Sequence, residues 1–199
     1  MPPTAQRLLD AARRVLARSG YNSLSVEAIG REAGENKALI RYYFGSKNGL
    51  LLALVDGLVS DTLRHTKQRL SAVTSQQDRS VLVVETAGAI LSDQESYRLL
   101  FDILPRLLEN PSMAKQLAEL YRGYRELNTR ALWGDRAEDA PEVVRNVAAM
   151  TVALSDGLAV QLLAEPGSVD AAAMLTTWRS FVEGVLASAT AEGATEPRA

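Results

Sequence analysis

The sequence predicts an all-α protein of about nine helices, with a small N-terminal three-helix unit and a larger helical body. Apolar residues recur at three- and four-residue steps along most of the chain, a spacing that gives a helix one apolar face. We find no convincing alternation of apolar and polar residues, the pattern that is typical of strands. Glycine, serine and proline fall between the periodic segments, where helices are expected to end and begin.

The composition is that of a folded protein and excludes several kinds of site. Hydrophobic residues make up 47% and charged residues 23% of the 199 residues. The absence of cysteine excludes disulfides, thiolate zinc sites and cysteine nucleophiles. The single histidine, His65, argues against a histidine metal site, and we expect neither a metal nor a cofactor.

Two features of the sequence lead us to expect a cytoplasmic protein. The longest uninterrupted apolar run, Leu50 to Val55, is far too short to span a bilayer. Arg7 and Asp10 lie inside the N-terminal apolar pattern, which is unlike the apolar core of a signal peptide.

Charge is distributed unevenly along the chain. Residues 1–70 hold 11 basic and 6 acidic residues, a net charge of +5. Residues 71–199 hold 11 basic and 18 acidic residues, a net charge of −7. A basic head on an acidic body indicates that only the head would meet the phosphates of a nucleic acid.

Glycines and a serine divide the start of the chain into three helices. An apolar stripe between Leu8 and Leu16 predicts the first helix, and Gly20 is well placed to end it. Ser25 can cap a second helix. Gly34 permits the turn to a third helix over residues 37–44.

Six further helices are predicted beyond residue 46. The fourth is long and runs from Lys47, behind a possible Ser46 cap, to about Leu70. Cap signals place the starts of later helices near Ser92, Asn110, Asp139 and Ser168. The last helix is expected to end near Ala189. We predict residues 1–46 as a helix-turn-helix domain, 47–189 as a helical ligand-binding and dimerisation domain, and 190–199 as a disordered tail.

The third helix divides into two chemically different faces at 100° per residue. The inner face is apolar and suited to packing on the first two helices; it consists of Leu39, Ile40, Tyr43 and Phe44. The outer face carries two cations, a small residue and an aromatic hydroxyl; it consists of Lys37, Ala38, Arg41 and Tyr42. This division is typical of a recognition helix that lies in a DNA groove.

The outer-face residues have chemistry that suits DNA. Ala38 lets the helix backbone come close, and Lys37 and Arg41 can reach base edges. A bidentate Arg41 contact to guanine would contribute roughly 1–3 kcal/mol of base discrimination. Lys47 and Ser25, each at the head of a helix, can hold phosphates together with backbone N–H groups.

Residues 8–55 resemble the N-terminal domain of the TetR family of transcriptional regulators. The matching residues are Gly20-Tyr21, Ser25-Val26, Ile29, Ala33-Gly34, Lys37, Tyr42-Tyr43-Phe44, Ser46-Lys47 and Leu50-Leu51. The resemblance implies a domain that binds operator DNA as one half of a homodimer. It also implies base contacts by Lys37, Ala38 and Arg41, and phosphate contacts by Ser25, Tyr42 and Lys47.

Three residues depart from the family pattern. Arg41 stands where tyrosine is frequent, which favours a guanine contact. Glu35 stands where valine is common, and it either repels phosphate or faces solvent. Gly30 replaces a usual alanine and should cost the second helix about 1 kcal/mol of propensity.

The C-terminal body resembles family members in helix number and length, which implies a small-molecule pocket and a dimer interface on the last two helices. Two apolar stripes support the interface; they contain Val143, Val147, Met150, Leu154 and Leu158, and Leu175, Trp178, Val182, Val185 and Ala189. Two such helices from each of two chains can make a four-helix bundle, although both stripes can equally line the core of one chain. The Asp156-Gly157-Leu158 stretch resembles regulators of the choline-responsive type.

Aromatic and polar residues of the body are candidates for lining a pocket for a small hydrophobic or amphipathic ligand. They are Tyr97, Phe101, Tyr121, Tyr124, Asn128 and Trp133. The alternative is that these side chains form part of the core. Pro105 would kink its helix and open space beside Phe101, or simply break the helix.

The sequence therefore predicts a homodimeric repressor of a palindromic operator, released when a ligand shifts the spacing of its recognition helices. Double-stranded DNA, a second copy of the chain and a small ligand are the expected partners, without a membrane. A regulator that activates fits the sequence equally well. Two alternatives are a helical ligand-binding or scaffold protein without DNA binding, supported by Glu35 and the acidic total charge, and an enzyme. The sequence shows no nucleophile–base pair, paired carboxylates or phosphate loop for catalysis.

Overall fold

The structure, a computed structural model, describes residues 1–70, 72–73 and 75–195. Within those ranges it contains nine α-helices, two short 3-10 helices and no strand, so the all-α prediction is confirmed. The α-helices are α1 (Pro3–Ser19), α2 (Val26–Ala33), α3 (Ala38–Phe44), α4 (Lys47–Leu70), α5 (Gln76–Ser92), α6 (Gln94–Glu109), α7 (Pro111–Trp133), α8 (Glu142–Ala164) and α9 (Ala171–Thr195).

The chain forms two compact units, each built from two segments. We call Met1–Ser60 with Glu95–Leu120 the head unit, and Asp61–Gln94 with Tyr121–Ala199 the body unit. Two of the three boundaries fall in the interior of α4 and α7, so each of these helices contributes to both units, and the third follows the first residue of α6. The head unit is thus larger than the predicted domain over residues 1–46, because α6 and the start of α7 pack with it.

Hydrogen bonds far apart in sequence hold α6 in the head unit. The backbone N–H of Tyr21 donates to Asp102 Oδ2 at 2.8 Å. The Arg13 guanidinium donates to Ser96 Oγ at 3.1 Å. The pattern of apolar residues carries no information about polar links of this kind, which explains why the sequence analysis missed them.

The start of the head unit forms as the cap residues predict. α1 buries its apolar stripe against α2 and α3, and Leu8, the first residue of the stripe, is fully buried. The Ser25 hydroxyl accepts a hydrogen bond from the backbone N–H of Ala28 at 3.0 Å and caps α2. α2 ends at Gly34, whose φ of 66° lies in the left-handed region that favours glycine.

Gly30 allows close backbone packing, a role that its low helix propensity does not predict. It is buried, and a Cβ built on it would lie 3.0 Å from the carbonyl oxygen of Glu35 and 3.2 Å from the backbone nitrogen of Lys37. The backbone between α2 and α3 therefore passes directly over Gly30. A side chain at this position would block the close approach, so the packing that glycine permits offsets its lower helix propensity.

The body unit has its core where α5, α8 and α9 meet. Its central side chains are apolar and buried; they include Val83, Leu132, Val144, Val147, Ala148, Val182 and Leu186. Several polar groups in and around it are hydrogen-bonded. The Trp178 indole N–H donates to Thr151 Oγ1 at 3.1 Å, and the hydroxyls of Thr66 and Thr86 are 2.7 Å apart.

Several helix ends differ from their predicted positions. α9 begins after Asp170, whose carboxylate accepts from the backbone N–H of Ala173 at 2.9 Å, so Asp170 takes the capping role expected of Ser168. α9 also continues to Thr195, through part of the predicted disordered tail, while residues 196–199 lie outside the described range. α6 continues past Pro105 to Glu109, so this proline does not end the helix.

The fold yields a stability prediction for α3. Ile40 is 1% exposed and anchors the inner face of this seven-residue helix. Replacing Ile40 by alanine should lower the free energy of unfolding of the head unit by about 2–5 kcal/mol, because it leaves a cavity. Urea unfolding followed by circular dichroism measures the loss. Leu39→Ala, at a half-buried neighbouring position, is the control; equal losses in the two variants would contradict the assignment.

Candidate nucleic-acid interface

The structure separates the two faces of α3 as the sequence predicts. Lys37, Ala38, Arg41 and Tyr42 are exposed, and Tyr42 is 77% exposed although it is a large aromatic residue. Leu39, Tyr43 and Phe44 are half-buried around Ile40. Asn36 caps the start of the helix, since its Oδ1 accepts from the backbone N–H of Ala38 at 2.9 Å. The result is a short rigid helix with a solvent-facing polar side.

The N-termini of α2 and α4 flank the recognition helix in sequence and belong to the same unit. Ser46 Oγ accepts from the backbone N–H of Gly49 at 3.0 Å and caps α4, as Ser25 caps α2. First-turn N–H groups and the helix dipole favour an anion at such ends. Each serine hydroxyl accepts in its cap and keeps its own proton for donation to a phosphate.

Lys47, at the start of α4, is held over an aromatic ring. Its Nζ lies 4.8 Å from the centre of the Tyr21 ring, and Cζ of Arg106 lies 5.6 Å from the same centre. Burial lowers the pKa of the Lys47 ammonium below its ordinary value. Two cations thus converge on one ring. Sequence analysis found Lys47 but missed Tyr21 and Arg106, because Arg106 comes from α6.

Carboxylates pair with many of the cations of the head unit. Lys37 Nζ lies 2.6 Å from Glu27 Oε1, and the hydrogen bond from Lys37 lowers the pKa of the Glu27 carboxyl. Arg7 bonds Glu35 at 2.5 Å, so Glu35 has a cation beside it instead of facing solvent alone. Within the described part of the chain, Arg41 lies within 4.0 Å of no carboxylate.

Glu32 holds α2 against α1 through two arginines. Its carboxylate oxygens lie 2.8 Å from Arg14 and 3.0 Å from Arg18. Hydrogen bonds from Arg14 and then Arg18 lower the pKa of Glu32. Together with Arg7–Glu35, these pairs bridge α1 to α2 and to the turn that follows it. Much of the positive charge of α1 therefore has a structural partner.

The six predicted pocket residues divide between the two units. In the head unit, the rings of Tyr97 and Phe101 stack with centres 5.7 Å apart. In the body unit, Tyr121 and Tyr124 meet edge to face at 5.8 Å, and Asn128 and Trp133 are half-buried further along α7. The structure does not bring all six into one unit.

A carboxylate missed as a pocket residue accompanies the tyrosines of the body unit. The Tyr121 hydroxyl donates to Asp156 Oδ2 of α8 at 3.0 Å. Burial, and then the negative charge of Asp156, raises the pKa of the Tyr121 hydroxyl. A half-buried carboxylate that is hydrogen-bonded to Tyr121, whose ring meets that of Tyr124, is suited to a cationic group.

Some residues of the apolar stripes of α8 and α9 are buried in the body core, and others remain exposed. Val147, Leu158 and Val182 are 2%, 1% and 0% exposed, so they pack within one chain and present no surface to a second copy. Of the remaining predicted interface residues, Val143 is exposed, and Leu154, Leu175, Trp178 and Val185 are half-buried. Among the residues whose burial the structure describes, the exposed large apolar side chains of these helices are Val143, Met150, Val160, Met174 and Phe181.

Two family profiles match the chain. Residues 8–54 match the profile described as "Bacterial regulatory proteins, tetR family". Residues 78–187, more than half of the chain, match the profile described as "BetI-type transcriptional repressor, C-terminal". The N-terminal helices and the C-terminal part of the chain therefore each match a described family profile.

Individual proteins resemble the chain over most of its length. It is 27% identical over 179 residues to the HTH-type transcriptional regulator BetI of Rhizobium meliloti, covering 88% of this chain and 86% of that one. It is 25% identical over 163 residues to the nicotine-responsive repressor HdnoR of Paenarthrobacter nicotinovorans, covering 81% and 84%. A transcriptional regulator from Saccharomonospora viridis, solved in complex with choline, shares its fold with a TM-score of 0.64 at 22% identity, covering 90% of this chain and 95% of that one.

The exposed basic face of α3, the capped helix ends beside it and the two profile matches agree with one another. The relatives are transcriptional regulators and not enzymes. The chain belongs to the tetR family of bacterial regulatory proteins and is a DNA-binding transcriptional regulator with a BetI-type C-terminal domain.

Proposed function

We propose that the protein is a cytoplasmic repressor that binds an inverted-repeat operator as a homodimer and leaves it when a small molecule binds. The observation that carries the proposal is the outer face of α3, where two cations, a small residue and an exposed tyrosine occupy one side of a well-packed helix. Within the described residues Lys37 pairs only with the exposed Glu27, and Arg41 lies near no carboxylate, so internal ion pairs do not explain the composition of this face.

Each exposed residue has a role in this proposal. Lys37 and Arg41 contact base edges, and Ala38 allows close approach of the helix to the groove. Ser25, Tyr42 and Lys47 hold phosphates and fix the register of the protein on the duplex. Arg41 is the residue that we expect to discriminate most, because it is exposed and reads guanine with two parallel hydrogen bonds.

The dimer contact is proposed for the exposed sides of α8 and α9. Val143 and Met150 are seven residues apart, as are Met174 and Phe181, so each pair lies on one side of its helix. α8 also has a window of mean hydropathy 1.7 of which one third is buried, enough by length and composition to cross a membrane. The buried residues of α8 face the body core. We propose that a second copy of the chain covers the apolar residues of α8 that remain exposed.

The ligand is proposed to bind in the body unit beside Tyr121, Tyr124 and Asp156. This group adds a negative charge to the amphipathic site expected from Asn128 and Trp133. We therefore propose a small amphipathic ligand with a positively charged group. One relative is described as nicotine-responsive, and one structure of similar fold contains choline, which supports the same class.

Release from DNA is proposed to follow from a shift between two spacings of the recognition helices. One DNA turn, about 34–36 Å, separates successive major grooves on one side of the duplex. A ligand that prefers a wider spacing would lower operator affinity by a coupling of about 1–3 kcal/mol. α4 contributes residues to both units, so we propose that it transmits the effect of ligand binding to the recognition helix. Operator affinity that is unchanged by a bound ligand would contradict this mechanism.

Operator binding is testable by selecting sites from a random duplex library with the full chain. We expect an inverted repeat, and affinity that falls with salt by about 0.9 logarithmic units per phosphate contact and per tenfold change in salt. Arg41→Ala should lower affinity by about 5- to 150-fold for each half-site of the selected inverted repeat. Arg122→Ala, at an exposed arginine of the body unit, is the control. Absence of any enriched, salt-sensitive site would favour a helical ligand-binding or scaffold protein.

The dimer contact is testable with matched substitutions on α9. Phe181 is 49% exposed and stacks on Trp178 with ring centres 5.0 Å apart. Glutamate at this position loses the stacking but keeps its charge in solvent in the monomer, whereas the charge would be buried between two copies. We expect Phe181→Glu to give monomers in sedimentation and to lose about 100-fold in operator affinity, since two half-sites no longer bind together. Thr176→Glu adds the same charge on the other side of α9 and should stay dimeric. Dimers of Phe181→Glu at the same concentration would disprove this interface.

The ligand class is testable by thermal unfolding with choline and with its neutral carbon isostere, 3,3-dimethylbutan-1-ol. A cation that binds here should stabilise the protein by about 2.7 kcal/mol at a hundredfold excess over its Kd, and the neutral alcohol should not. Asp156→Asn should abolish the effect. Asp170→Asn, where asparagine also caps α9, is the matched control and should retain it. Equal stabilisation by both compounds would contradict a cationic ligand.

A further inference from the structure

One ion pair lies on the solvent side of the recognition helix itself. Lys37 Nζ is 2.6 Å from Glu27 Oε1, and the two side chains are 56% and 53% exposed. Glu27 is in the first turn of α2, two residues after the Ser25 cap, and Lys37 immediately precedes α3. A carboxylate therefore accompanies the lysine that the proposed function brings to the bases.

This position differs from that of the other carboxylates paired with cations near α2. Glu32 and Glu35 bond arginines of α1 and so tie α1 to α2 and to the turn that follows it. Glu27 bonds a residue of the proposed DNA-contacting face. An exposed pair of this kind contributes only about 0–1 kcal/mol to stability, so stabilisation alone does not account for a carboxylate placed there.

A carboxylate close to DNA also has an electrostatic cost. It is repelled by phosphates and lowers the affinity for every sequence alike, unless it accepts a hydrogen bond in the complex. In the major groove, the strong donor that suits an acidic side chain is the N4 amino group of cytosine. The ammonium of Lys37 suits the N7 and O6 acceptors of guanine.

We propose, on the basis of the proposed function, that Glu27 is a specificity-determining residue that reads one G·C base pair together with Lys37. Across the major-groove edge, a G·C pair presents two acceptors on guanine followed by a donor on cytosine. An ammonium and a carboxylate already 2.6 Å apart present the complementary donors and acceptor side by side. The pair can therefore engage the base pair as a unit.

The same arrangement rejects A·T pairs. Adenine presents its N6 amino donor where guanine presents the O6 acceptor, and thymine presents the O4 acceptor where cytosine presents a donor. The ammonium would then face a donor and the carboxylate would face an acceptor. Both charges lose water in the groove, so each unmatched group carries a desolvation cost.

Glu27→Gln tests the inference because it keeps the size of the side chain and removes its charge. Sites are first selected with the wild-type homodimer, and affinities are then measured for duplexes in which each G·C pair of both half-sites is changed to A·T. We expect one position at which wild type loses about 5-fold or more per half-site, and at which Glu27→Gln loses most of that discrimination. Glu27→Ala should behave in the same way, and thermal unfolding confirms that both variants fold.

Glu35→Gln is the matched control. It removes the same charge from the turn after α2, where Glu35 pairs with Arg7, and it should leave the base preference at every position unchanged. If Glu27→Gln binds all sequences more tightly with an unchanged preference, Glu27 is only a counter-ion of Lys37 and the inference is wrong. If the wild-type protein enriches no sequence, the proposed operator binding is wrong, and the inference, which depends on it, is wrong as well.

Discussion

The packing of the inner face of α3 is the constraint on which the DNA-facing surface depends. A helix of seven residues is far too short to be stable alone, so α3 exists because Ile40 and its neighbours are buried against the head unit. That burial also fixes which side chains remain outside. The close passage of the chain over Gly30 sets where α3 begins. Buried residues thus orient the side chains that are proposed to contact DNA.

The electrostatics of the head unit depend on the same scaffold. The first 70 residues carry a net charge of +5, but Glu32 and Glu35 hold several arginines of α1 in structural pairs. Arg41, which lies within 4.0 Å of no described carboxylate, and Lys47 keep positive charge available to a phosphate. Lys47 is itself restrained by the Tyr21 ring that it shares with Arg106. Counting charges along a sequence shows the sign of such a surface but not where the effective charge lies.

Local patterns in the sequence predicted the local structure well. The two faces of α3, the Ser25 and Ser46 caps and the Gly34 turn all depend on residues within one or two helical turns. Contacts between distant segments were not predictable in this way. Asp102 bonds Tyr21 across 81 positions, and the apolar stripes of α8 and α9 contain residues that serve the core as well as residues that remain exposed. Periodicity identifies an apolar face, but only the packing of the folded chain decides which residues of that face are buried and which stay exposed.

The link between Tyr21 and Asp102 uses the backbone of one residue and the side chain of the other. Every residue type except proline carries the N–H that this bond requires. The ring that contacts Lys47 and Arg106, in contrast, is specific to the side chain at position 21. The backbone bond to Asp102 and the ring contact with Lys47 and Arg106 can therefore change independently as the sequence diverges. A lineage can change residue 21 and alter how Lys47 is held, while α6 stays attached to the head unit through the same hydrogen bond.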